Sequence, residues 1–133
     1  MQTNPQTPAS PFPPKTVLVV DDFASVRFYH AYLLRQAGFQ CIEARDGAEA
    51  FEKLRQQRVD LIMLDLIMPK MGGEEFIRQI RALPEHAAVP LLIITSESVE
   101  EKIRPLAGTG KIGFATKPIV PNTLIESVRK LLP

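Results

Sequence analysis

The chain has 133 residues, 45% apolar and 23% charged, which suits one domain with a proper core and excludes wholesale disorder. Sixteen basic against fifteen acidic residues leave a formal charge of +1, so no global field favours direct nucleic-acid binding or an anionic membrane. Apolar runs are far too short to span a membrane, no export signal opens the chain, and a lone cysteine, Cys41, cannot pair internally, so a cytoplasmic location is expected.

The first fourteen residues, MQTNPQTPASPFPP, hold five of the twelve prolines and read as a flexible, partly extended tail before a domain at 15–133. Thr16–Val20 (TVLVV) is strand-like and runs into Asp21 and Asp22. Val26, Tyr29, Leu33 and Ala37 recur at helical spacing until Gly38. A second strand is expected from Phe39 to Ala44. Asp46 and Glu49 then resemble a capping box for a helix with Ala50, Phe51 and Leu54 on its inner face. Leu61–Leu64 reads as a buried strand running into Asp65. Gly72 and Gly73 open a helix facing inward through Phe76, Ile77, Ile80 and Leu83. Pro90–Ile94 is a fourth strand, ending at Thr95. Gly113–Thr116 is a fifth, ending at Lys117 and Pro118, before a last helix carrying Leu124, Ile125, Val128, Leu131 and Leu132.

Strands that are apolar throughout are covered on both faces. The expected fold is therefore α/β, a five-stranded parallel sheet with helices on both faces. Right-handed crossovers put every strand's C-terminal end along one edge, where such folds bind ligands. Asp21, Asp22, Asp65, Thr95 and Lys117 all fall at that edge. Two unit charges about 4 Å apart repel by about 4 kcal/mol at an effective dielectric near 20, so clustered carboxylates call for a cation. Lys117 supplies one charge and a divalent ion the rest. An all-oxygen donor set suits Mg²⁺, or Mn²⁺, rather than zinc. A carboxylate facing a metal, a lysine and a hydroxyl is placed to attack electrophilic phosphorus.

VLVVDD at 17–22, LDLIMPKMGG at 64–73, IITSE at 93–97 and FATKP at 114–118 together resemble the receiver domain of two-component response regulators, in character the single-domain chemotaxis type. The resemblance covers about residues 16–132. It implies the flavodoxin-like (βα)5 receiver fold and phosphoryl transfer to Asp65 from a sensor histidine kinase or a histidine phosphotransfer protein. By the same resemblance Asp22 ligates Mg²⁺ directly and Asp21 acts mainly through water. Asp65 and the backbone carbonyl of Ile67 complete the set. Lys117 would pair with a phosphate oxygen, Thr95 would move toward the phosphoryl group, and Phe114 would be the aromatic that turns inward with it. The Lys117–Pro118 peptide is implied to be cis.

Residues 98–113 depart from that pattern. Ser98 and Glu101 suggest a helix start, yet Pro105 follows within two turns and three glycines come after. A short or kinked fourth helix with a mobile connection is expected, in a region where the family usually meets partners. Gly108–Lys111 is not a phosphate-binding P-loop, because Pro105 and Ile112 stand where glycine and Ser or Thr are needed. A haloacid-dehalogenase-type phosphohydrolase would need an acid at Ile67. A flavin carrier would not place two acids after strand one. No output domain follows Pro133, so the expected activity is a phospho-switch acting through an unidentified protein target, or a relay intermediate, and not an enzyme.

Overall fold

The computed structural model describes residues 13–66, 72–96, 99–108 and 110–132. All of the expected tail except Pro13 and Pro14 lies outside them, as do Ile67, Met68, Met71 and Ser98. Along the chain, β1 (Thr16–Val20), α1 (Ala24–Gln36), β2 (Gln40–Ala44), α2 (Gly47–Gln56), β3 (Leu61–Asp65), α3 (Gly73–Ala82), β4 (Leu91–Thr95), α4 (Glu100–Ile103), β5 (Ile112–Thr116) and α5 (Pro121–Leu131) alternate. A 3-10 turn at Pro84–His86 precedes β4, and another at Arg104–Ala107 follows α4.

All strand pairs are parallel, in the order β2-β1-β3-β4-β5. Period-two alternation divides the central strands between two cores. Leu18, Val20, Ile62, Leu64, Leu91 and Ile93 pack with Phe76, Ile77 and Ile80 of α3 and Leu54 of α2. Val17, Val19, Leu61, Met63, Leu92 and Ile94 pack with Leu34 of α1 and Leu124 and Val128 of α5. Each large apolar side chain so buried contributes about 1.5–3 kcal/mol. Strand order reverses between β1 and β3, which opens the ligand crevice at the C-terminal ends of those two strands.

The strand expected at Leu61–Leu64 runs one residue further, to Asp65, and the one expected at Pro90–Ile94 lies one residue later, at Leu91–Thr95. Asp65 pairs with Ile94, and Thr95 with Thr116. Both residues therefore sit on rigid ladder positions rather than in the loops beyond. Asp46 caps α2 by accepting from the Glu49 amide at 2.9 Å, while Glu49 reaches back to the Arg45 amide at 3.2 Å.

The inner face of α1 differs from the expected stripe. His30, Ala31 and Leu34 are buried, whereas Tyr29 is 48% exposed. Phe28, Tyr29 and Tyr32 place apolar rings on the solvent side, and that blurs the helical periodicity. The fourth helix is as short as expected, one turn that passes into the 3-10 turn containing Pro105, which has no amide to donate. Arg81 of α3 ties down this segment. Its Nε donates to the Ala107 carbonyl at 2.6 Å and its Nη1 to the His86 carbonyl at 3.1 Å.

Gly73 is required by packing. A Cβ there would lie 2.6 Å from the Leu66 carbonyl oxygen, which already accepts the Gly73 amide at 2.9 Å. Gly73→Ala should lower unfolding stability by about 1–3 kcal/mol, the usual cost of overpacking. Urea denaturation would show this as a lower midpoint with an unchanged slope.

Candidate functional site

Four strand ends build the site. The Asp21 amide extends the β1–β2 ladder by bonding the Ala44 carbonyl at 3.0 Å, and the Asp21 carboxylate turns back to accept the Phe23 amide at 2.9 Å. Asp22 follows at the entry to α1. Asp65, 4% exposed, ends β3. One carboxylate oxygen from each of the three acids lies within 4.8 Å of the others. Across the cleft, the Lys117 ammonium stands 3.3 Å from Asp65 Oδ1. Its backbone amide bonds the carbonyl of Thr95, the buried last residue of β4, at 2.9 Å. The Lys117–Pro118 peptide is cis.

Asp22 Oδ1 decides what this cluster suits. It is shielded from solvent and has no hydrogen-bond partner among the described residues. A buried carboxylate oxygen left so costs on the order of 1–3 kcal/mol or more, because charged groups are the most expensive to strip of water. Three carboxylates balanced by one ammonium also leave net negative charge in a confined space. A hard divalent cation answers both, and every donor present is oxygen.

Asp21 carries the electrostatic mark of the crowding. Burial pushes its pKa above the ordinary 3.8, the Phe23 amide opposes this, Asp65 raises it, Lys117 lowers it and Asp22 raises it. A carboxyl whose folded pKa exceeds its unfolded value stabilises the fold below the unfolded pKa. That contribution is lost as pH rises through the folded pKa. Without metal, Asp21→Asn should therefore melt at a higher temperature than the wild type at neutral pH. The difference should disappear toward pH 3.8. Thermal melts across pH in a chelating buffer would measure it.

Phe114 is half-buried on β5, its ring against the α2–α3 core and 5.2 Å from the Arg104 guanidinium carbon. Ile67 lies outside the described residues. Cys41 packs beside the α1–α5 core, and burial pushes its thiol pKa to about 11. Sequence reasoning missed His30, which is buried on α1. Desolvation and then the Lys117 charge hold its pKa below 6.5, while Asp65 pulls it up. Once the inner face of α1 is known, its spacing from Leu34 is the signal that finds it.

Residues 17–129 match the response regulator receiver domain. The chain belongs to that family. This receiver is 37% identical over 116 residues to the chemotaxis protein CheY-3 of Vibrio cholerae, covering 86% of this chain and 89% of CheY-3. It is 32% identical over 115 residues to CqsS, the CAI-1 autoinducer sensor kinase/phosphatase of V. cholerae. There it covers 86% of this chain and spans only 17% of the relative's length. Among solved structures, V. cholerae CheY4 superposes with a TM-score of 0.82 at 33% identity, covering 90% of this receiver and all of CheY4. TrrA of Thermotoga maritima, solved with Mg²⁺-BeF, gives 0.76 at 28% identity over 89% of this chain and 99% of TrrA. The protein is thus a phospho-accepting signalling domain with an acidic pocket for Mg²⁺-dependent phosphorylation. Receivers of this family partner histidine kinases. No helix among the described residues is long and apolar enough to cross a membrane.

Proposed function

We propose that Asp65 is the phosphoacceptor and that Asp21, Asp22 and Asp65, with the Ile67 carbonyl, hold the Mg²⁺ (or Mn²⁺) that transfer requires. The observation that carries this reading is the buried Asp22 Oδ1, without a hydrogen-bond partner among the described residues, within the three-carboxylate cluster. The Mg²⁺-BeF complex of TrrA supports the choice of cation.

Bound there, the ion would supply positive charge against the phosphoryl oxygens. Lys117, 3.3 Å from Asp65 Oδ1, orients the carboxylate and presents an ammonium to an incoming phosphate oxygen. An Asp65 carboxylate oxygen attacks phosphorus. A new O–P bond forms as the donor's N–P bond breaks, and the imidazole nitrogen leaves with the electron pair. The Thr95 hydroxyl, at the next strand end, accompanies the phosphoryl group, and Phe114 follows it inward. The added charge of about −1.5 to −2 shifts the population toward the conformation that holds it better.

The donor is a phosphohistidine on a sensor kinase or phosphotransfer protein, and the output is altered affinity for a protein target. This reading places the chain in the cytoplasm. Incubation with acetyl phosphate and Mg²⁺ should add one phosphoryl group, visible by intact-mass measurement, and a chelator should prevent it. Continuous phosphate release with no adduct would instead indicate a hydrolase.

A further inference from the structure

We propose that Arg27 is a positioning residue for the metal site: its guanidinium grips the Asp21 carbonyl and so fixes the peptide that carries Asp22. The inference rests on the Mg²⁺ reading above. Arg27 sits in the first turn of α1 with its side chain only 13% exposed. Its Nη1 donates to the Asp21 carbonyl at 2.8 Å while its Nε meets Glu43 Oε1 of β2 at 3.2 Å. A peptide is planar, so holding the Asp21 oxygen also orients the amide nitrogen and Cα of Asp22. The Asp21 carboxylate is tied separately to the Phe23 amide. The turn is thus clamped at its backbone and at one acid, leaving the Asp22 carboxylate aimed into the cluster with its Oδ1 unpartnered among the described residues.

Glu43 completes the clamp. It offsets a positive charge that would otherwise repel a divalent ion, and its second oxygen lies 3.6 Å from Arg35. Arginine is suited to this because its planar fork holds separate donor nitrogens on two acceptors in a fixed geometry, whereas a lysine ammonium is a single point charge on a flexible stem. Charge and positioning make opposite predictions here. If Arg27 acted by charge alone, removing a cation beside the site would tighten Mg²⁺ binding. If it positions Asp22, removal weakens binding.

The test is a titration of the full chain with MgCl₂ and no phosphodonor, followed by NMR amide shifts, with thermal melts in chelator as the folding control. Arg27→Gln should weaken Mg²⁺ binding roughly tenfold, the order expected when an outer partner of a metal ligand is lost. Arg27→Lys should fall between that variant and the wild type. It also carries the test if Arg27→Gln does not fold. Unchanged or tighter Mg²⁺ binding in a folded Arg27 variant, with wild-type binding intact, overturns the positioning role alone. A wild-type chain with no saturable Mg²⁺ response overturns the metal reading and this inference with it.

Discussion

Asp65→Asn should take up no detectable phosphoryl group from acetyl phosphate under conditions that fully modify the wild type, a loss of at least about two orders of magnitude. The substitution preserves the shape of a buried side chain at the end of β3 and removes only its nucleophilic charge. The strand ladder that holds it, with Asp65 opposite Ile94, does not depend on the side chain. The variant should therefore fold. Removing one of three mutually repelling carboxylates should even ease the strain on Asp21, whose pKa Asp65 raises. Intact-mass measurement reads the loss, and a thermal melt shows that the fold is retained. Comparable modification of Asp65→Asn would mean that another carboxylate is the acceptor.

The second large effect is expected at Asp22. Its Oδ1 is the one buried side-chain oxygen or nitrogen among the described residues that lacks a hydrogen-bond partner. Asp22→Asn replaces an anionic donor by a neutral amide, so Mg²⁺ affinity should fall by about tenfold or more. Phosphoryl uptake should then need correspondingly more Mg²⁺ for half-maximal rate. The rate at saturating Mg²⁺ should suffer much less than in Asp65→Asn, because Asp65 and Lys117 still face each other at 3.3 Å. A Mg²⁺ titration of initial rates separates the two variants. An unchanged Mg²⁺ requirement would remove Asp22 from the ligand set.

The parallel sheet was legible because β1, β3 and β4 are apolar on both faces, a pattern that demands covering layers. The site followed from it, since strand ends in such a sheet must share an edge, and Asp21, Asp22, Asp65, Thr95 and Lys117 all stand there. The inner face of α1 was not legible. Three exposed aromatic rings compete with His30, Ala31 and Leu34 for the helical period, and only the crossover from β1 to β2 selects between faces. Arg27 and Arg81 were also out of reach. Each binds backbone carbonyls whose positions depend on distant turns, and no local pattern of residue types encodes that. The one-residue extension of β3 and the one-residue shift of β4 have the same origin, because a ladder ends where its partner strand ends.

The most direct measurement is to locate the phosphoryl group. The chain is treated with acetyl phosphate in Mg²⁺, quenched with borohydride to reduce any acyl phosphate to an alcohol, and mapped by peptide mass spectrometry. Gathering of the three acids around one divalent ion, so that one of them is phosphorylated, predicts homoserine at position 65 and only when Mg²⁺ is present. Homoserine at a different carboxylate, or at position 65 equally in chelator, would contradict it.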